Sequence, residues 1–219
     1  MSKSKSVLII GMGRFGRHLA LRMLDMGNDV MVIDKDASII DMMSSYCPDC
    51  NIGDCTNENV LKSLDVSAFD ICFVTIGEDF QSSLVITSYL KSLGAKCVVA
   101  KANQDIQADL LKKIGADEII YAEKEMAEKI AMRYNTDNIF DYIQLTSDYS
   151  IYEIPVLKEW IGRTIAEVNV RQNFNVSIIA IKVGATLNPA PGANYTFGRN
   201  DHVVVIGKST DVFKITSRV

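Results

Sequence analysis

The 219-residue chain has only two histidines, His18 and His202, together with one tryptophan and four prolines. Neither histidine comes with the serine or cysteine and the carboxylate that nucleophilic catalysis needs, so the sequence offers no foothold for that chemistry. Long hydrophobic runs are missing: no stretch approaches the roughly 20 apolar residues of a membrane helix. The opening "MSKSKS" carries two lysines, but the "VLII" behind it is cut short at Gly11, so no secretory signal is expected. A basic excess is missing as well. The formal net charge is −4, and residues 143–219 hold 8 Lys+Arg against 6 Asp+Glu. Neither half is a polybasic surface, which argues against a nucleic-acid binder and against direct membrane insertion. A cytoplasmic protein is expected.

Cysteine is neither scarce nor paired. The five, Cys47, Cys50, Cys55, Cys72 and Cys97, are an odd number in a chain expected to be cytosolic, which speaks against a disulfide framework. Cys72 in "DICFVT" and Cys97 in "AKCVVA" read as small hydrophobes of buried strands. "CPDC" at 47–50, with Cys55 close by, leaves a redox or zinc site open as an alternative, although a structural zinc site needs four ligands and no second pair follows.

What is present is an alternation. "SVLIIG" is a continuous apolar run of the kind found in strands buried on both faces. Phe15, Leu19, Met23 and Met26 then recur at helical spacing up to Gly27. Strands are expected at 29–34, near 50–52, at 71–77, 96–100 and 118–122. Helices are expected over 37–45, 57–64, 81–94 and 106–114, and a helical segment with polar breaks over 127–142. Six strands with intervening helices predict an α/β fold, a Rossmann-like doubly wound parallel sheet, over residues 1–133. Residues 134–142 read as a crossover helix or linker. Over 143–219, "SIYEIPV", "VSIIAIKVG" and "HVVVIG" read as strands, "TIAEVNVRQ" as a short helix and "NPAPGANY" as a loop. This makes a small α+β domain of roughly 75 residues.

Gly11, Gly13 and Gly16 form G-x-G-x-x-G after a strand and at the start of a helix, with a second strand ending in an acid, the context in which the motif predicts a dinucleotide or nucleotide site. Gly11 permits the tight turn, Gly13 the approach of backbone to phosphate, and Gly16 close packing of helix on strand. Free N–H groups and the positive end of the helix dipole face the anion. Asp34, 18 residues after Gly16, is placed to accept from ribose hydroxyls and to repel a 2′-phosphate, so NAD(H), ATP, ADP or AMP fit and NADP is disfavoured. Arg14, beside Phe15, can grip terminal phosphate oxygens bidentately or lie as a surface arginine. Asp54, next to Cys55, lies either at the adenosine end or as the N-cap of the following helix.

Taken together, "VLIIGMGRFGRHLA", "VIDKD", "GDCT", "IGEDFQSSL", "IGADEIIYAEKEMAEKIA" and "NVRQNFNVSIIAIK…NPAP" resemble the KtrA/TrkA-type RCK proteins over nearly the whole chain. These are cytosolic subunits that regulate potassium uptake channels. The resemblance implies an N-terminal domain that binds ATP or ADP, or NAD(H) in TrkA-type members. It also implies a helix exchanged between protomers, and homodimers assembled into an octameric ring under a KtrB/TrkH-type channel subunit. It places Arg14 at the terminal phosphates, Asp34 and Lys35 at the ribose, Asp54 at the adenosine end, Thr75 and Gly77 along the cleft, and Lys101 near the phosphates. Glu123 matches a glutamate that helps hold a divalent cation, such as Mg²⁺, near the γ-phosphate; by its position it is equally a first-turn helix acid. The C-terminal part resembles a domain that in some members binds cyclic di-AMP, with Arg171, Asn175, Val176, Ile178, Ile179 and Pro191 on the matching stretch. Two other classes are kept beside this one: a small NAD-dependent oxidoreductase, and a redox- or nucleotide-sensing regulator of transcription.

Overall fold

The computed structural model describes residues 4–135 and 139–217, and the chain divides into two units, 1–125 and 126–219. In the first, six strands alternate with helices. They are β1 (Ser6–Ile10), α1 (Arg14–Asp25), β2 (Asp29–Asp34), α2 (Ala37–Met43), β3 (Asp49–Ile52), α3 (Glu58–Ser63), β4 (Ile71–Val74), α4 (Phe80–Ser92), β5 (Val98–Lys101), α5 (Asp105–Ile114) and β6 (Glu118–Ile120). All pairings are parallel and the order is β3-β2-β1-β4-β5-β6. This is the doubly wound sheet the alternation predicts, and its order reverses between β1 and β4.

The apolar run of β1 follows from helices covering both faces. Successive side chains of a strand point to opposite sides. Leu8 and Ile10 therefore enter a core with Leu61, Ile86, Leu90 and Leu111, while Val7 and Ile9 enter another with Ala20, Ile40 and Met43. The cysteines divide the same way, Cys55 and Cys72 in the first core and Cys47 in the second, all three buried. Aspartate or asparagine caps begin α2, α3 and α4, where Asp36, Asn57 and Asp79 accept from backbone N–H groups of the first turn.

The helix α6 (Ala122–Asn135) bears acids in its first turn, Glu123 and Glu125, as the dipole favours. The second unit then has β7 (Asp141–Gln144), β8 (Tyr149–Pro155), α7 (Ile165–Val168), α8 (Val170–Phe174), β9 (Ser177–Val183), β10 (Thr186–Pro189), β11 (Asp201–Lys208) and α9 (Ser209–Thr216). Its sheet is antiparallel, ordered β10-β9-β11-β8-β7. One face of β8 and β11 is buried in strict alternation, Tyr152 and Ile154 against Val203 and Val205. Trp160 fills this core, with the rings of Phe174 and Phe197 each 5.5 Å away. On the other face, Glu153 accepts from Lys182 at 2.9 Å and pairs with His202 Nδ1 at 2.6 Å.

Several boundaries differ from those expected. The helix after β6 begins at Ala122 rather than 127, because "AEKEMA" is a run of strong helix formers with acids in the first turn. Residues 141 and 142, expected at that helix's end, lie in β7. Part of the expected linker, 136–138, and the opening residues 1–3 lie outside the described residues. Besides β7, two elements were not foreseen: α9, and β10, which turns the expected "NP" loop start into the end of an exposed edge strand. The single short helix expected over "TIAEVNVRQ" is two, α7 and α8, parted where Asn169 takes the left-handed conformation.

Candidate functional site

The C-terminal ends of β1 and β4 flank the reversal point, and the glycine turn sits there. Gly11 has φ +96°, and a Cβ would stand 2.9 Å from Ile76 Cγ1, so only glycine fits without strain. A Cβ on Gly16 would collide with the Gly11 carbonyl oxygen and lie 2.6 Å from Thr75 Oγ1. Gly13 differs: its backbone is extended and a Cβ would meet nothing within 4 Å. It is the N-cap of α1, and among the described residues no side-chain hydrogen bond caps the helix there, so its first N–H groups are left without a side-chain acceptor. This is the arrangement that receives an anion.

The loop is held from both sides. Thr75, buried, directs its hydroxyl at the carbonyl oxygens of Ile10 (3.0 Å) and Gly11 (2.5 Å). Asp34 accepts from the N–H of Met12 through one oxygen (2.5 Å) and from the N–H of Asp36 through the other (2.9 Å). The carboxylate thus braces the glycine turn, and each oxygen keeps a lone pair for a hydroxyl. Lys35 is exposed beside it.

Asp54 is exposed and accepts from the N–H and hydroxyl of Thr56, which hold its carboxyl below the usual range; the cap of α3 is Asn57, three residues on. Asp79, absent from the sequence reading, is held low in the same way by Ser82, and Lys35 lowers both acids further. The carboxylates after β3 and at the cap of α4 are therefore linked electrostatically by one lysine. No local sequence signal connects them.

Arg14 opens α1 and is exposed, with Phe15 half-buried next to it. Lys101, at the end of β5, has a side chain only 10% exposed; its Nζ lies 5.9 Å from the Phe15 ring centroid and 2.6 Å from Glu123 Oε1. A Cβ on Gly77 would stand 3.4 Å from that Nζ, and Asn103, another residue the sequence did not flag, donates to the Gly77 carbonyl at 2.7 Å. The bond from Lys101 holds the Glu123 carboxyl below the usual range, and Arg14 adds to it. Arg14, Phe15, Gly77, Lys101 and Glu123 are thereby gathered at one mouth. Cys55 belongs to the core instead, its thiol pushed up to about 12 by burial. Cys50 rises to about 11 through burial and the neighbouring Cys47, and Cys72 to about 12 through burial, which describes inert thiols. Among the described residues no three His, Cys, Asp or Glu groups cluster as metal ligands.

In the second unit, Arg171, Ile178 and Pro191 line a cavity of about 380 Å³ with Ile165, Ala166, Asn169, Val170 and Ser177. Asn175 ends α8 in the left-handed region, Val176 is core, and Ile179 is exposed on β9; these three are not in its wall.

A parallel sheet with a glycine-turn anion site at its reversal point, followed by a small antiparallel domain, defines a two-domain protein with a Rossmann-like nucleotide fold. Residues 7–122 match the TrkA-N domain and residues 150–218 the TrkA-C domain. The chain is 34% identical over 215 residues to Ktr system potassium uptake protein C of Bacillus subtilis, covering 98% of this chain and 97% of that protein. It is 32% identical over 210 residues to Ktr system potassium uptake protein A of the same organism, covering 96% and 95%. The chain belongs to this TrkA-domain family of Ktr potassium uptake proteins. Among solved structures, the GsuK channel superposes with a TM-score of 0.73 at 18% identity, over 100% of this chain and 40% of that one. The GsuK channel bound to NAD gives 0.69 at 18% identity, over 96% and 38%. These share the fold. Among the described residues no helix is long and apolar enough to cross a membrane.

Proposed function

We propose that the chain is a regulatory subunit that senses an adenine nucleotide, ATP/ADP or NAD(H), and gates a membrane potassium channel from the cytoplasmic side without converting its ligand. The observation that carries this is the uncapped start of α1 with open space at Gly13, bordered by Arg14 and Lys101 on one side and the Asp34 carboxylate on the other. Cations face where a phosphate tail would lie, and an acceptor faces where a ribose would lie. Among the described residues, no histidine, reactive thiol or hydroxyl stands in a catalytic arrangement around that space. Membership of the Ktr family and the NAD named on one structural neighbour support the same reading.

Two nucleotides sharing one pocket shift a conformational equilibrium only through their different affinities for its two states. An additional terminal phosphate on Arg14 supplies such a difference, and homodimers arranged as a ring would pass it to the channel as rotations of rigid subunits. The test is potassium flux in vesicles holding the Ktr-type membrane subunit and this chain. Flux should differ between saturating ATP and ADP, and the nucleotides should be recovered unchanged. Identical flux with either, or steady product formation, contradicts the proposal.

The cavity bearing Arg171, Ile178 and Pro191 favours a second ligand in the C-terminal unit. By the family resemblance this is cyclic di-AMP, its phosphates on Arg171 and its bases against Ile178 and Pro191. Calorimetry with Arg171→Ala as control tests it: binding that persists in the variant removes the assignment.

A further inference from the structure

Among the described residues of the C-terminal unit, Gly162, Asn169, Asn175, Gly184 and Ala190 have a positive φ. Glycine has no Cβ to clash there, and asparagine tolerates the left-handed region through its short polar side chain. Ala190, at φ +52°, has neither property. Pro191 follows it, and a proline pushes the residue before it toward extended backbone. The conformation at 190 is therefore held against two preferences, and the elements that build the Arg171 cavity are what hold it. The Ala190 N–H donates to the Ile179 carbonyl at 2.9 Å, one step beyond the last pair of β9 and β10, Ala180 with Pro189. Farther on, the carbonyls of Ala193 and Tyr195 accept from the N–H groups of Ala166 (2.9 Å) and Ile165 (3.0 Å) at the start of α7. Ile165, Ala166 and Pro191 all line the cavity. The left-handed turn thus leads the chain from an exposed edge strand to the cavity and sets Pro191 in its wall. The Ala190 side chain is exposed and is not part of that wall.

We propose that Ala190 is a positioning residue that limits the affinity of this cavity, because bound ligand must keep Pro191 in the wall against the backbone preference of alanine. The inference rests on the cyclic di-AMP reading above and adds what sets the strength of that binding. Residues held in sparsely populated backbone regions gather at ligand clamps, where the surrounding structure over-determines them. A site whose competent conformation is only partly populated binds with its intrinsic affinity multiplied by that fraction. At position 190 the fraction follows the left-handed propensity of the residue. Since the side chain lies outside the wall, a substitution there changes the population without changing what the ligand touches.

The test is calorimetric titration of cyclic di-AMP into the full-length protein and its Ala190→Asn and Ala190→Val variants. Beside it, hydrogen exchange of the segment 186–195 is followed by mass spectrometry without ligand. Ala190→Asn, which suits the left-handed region, should bind about threefold tighter or better. Ala190→Val, β-branched and an outlier there, should bind about tenfold weaker. A merely structural role would move the melting temperature and leave the affinities equal. Exchange of the segment should be slower than wild type in Ala190→Asn and faster in Ala190→Val. Equal affinities across the three proteins overturn the inference, as does tighter binding by Ala190→Val. Equal exchange across the series overturns it too, whether or not cyclic di-AMP binds. Absence of cyclic di-AMP binding in all three proteins overturns the cyclic di-AMP reading itself, and the affinity claim with it.

Discussion

The hydroxyl of Thr75, at the end of β4, lies 2.5 Å from the carbonyl oxygen of Gly11, 64 residues earlier in the chain. The same hydroxyl lies 2.6 Å from where a Cβ on Gly16 would be. One buried side chain thus fixes the turn and closes the space behind it. Thr75→Val keeps the shape and removes the donor, leaving a buried carbonyl short of a partner. It should cost about 1–2 kcal/mol in chemical denaturation. An unchanged midpoint would show that the bond is dispensable.

The motif glycines separate into two kinds. Gly16→Ala should destabilise the fold by a few kcal/mol, because the methyl meets backbone that has nowhere to move. Gly13→Ala should leave the melting temperature almost unchanged, since the extended backbone suits any residue and the space is open. Under the proposed function, in which phosphate approaches through that space, it should nevertheless abolish nucleotide binding. Equal melting losses in the two variants would contradict the division.

In the proposed function the exposed guanidinium of Arg14, at the first turn of α1, grips the phosphate tail, so Arg14→Ala should weaken ATP much more than AMP. Proportional loss for both ligands would mean that the arginine does not read the tail. At the ribose end, Asp34 should hold NADPH at least about tenfold weaker than NADH. Equal affinities would remove Asp34 from that role.

The second unit has its own pH dependence. Burial raises the Glu153 carboxyl, but the bonds from His202 and Lys182 outweigh it, so the net direction is downward. A carboxyl lowered in the folded state contributes stability that is complete above its unfolded value. That contribution disappears as pH falls through the folded one. Glu153→Gln should therefore destabilise the protein at neutral pH, and the difference from wild type should shrink as pH drops from the ordinary glutamate range downward. A difference constant across that acid range would contradict the ion-pair account.

How far these features were readable in the sequence follows from how local their causes are. Gly11, Gly13, Gly16 and Asp34 carry their meaning within one strand–turn–helix–strand unit, and the structure brings them to one sheet edge. The parallel, doubly wound sheet followed from the alternation of elements; its strand order is read from the structure. Lys101 and Glu123 were each picked out, but their mutual pairing was not, because it depends on two neighbouring strands ending side by side. Asp79 and Asn103 went unnoticed for the same reason: a cap and a loop amide gain importance only from Lys35 and Gly77 across the mouth. The first half of β7, residues 141 and 142, was absorbed into a helix because a strand of four residues, Asp141–Gln144, is too short to display a period of two. β10, exposed throughout and ending in proline, has no buried face to mark it.

The central claim is that an adenine nucleotide docks its phosphates on the open start of α1 at Gly13. Isothermal titration of ATP into the purified protein, with Gly13→Ala alongside, tests it most directly. Saturable micromolar binding to the wild type and none to the equally folded variant is the predicted result. No binding to the wild type, or the same binding curve from both proteins, would contradict it.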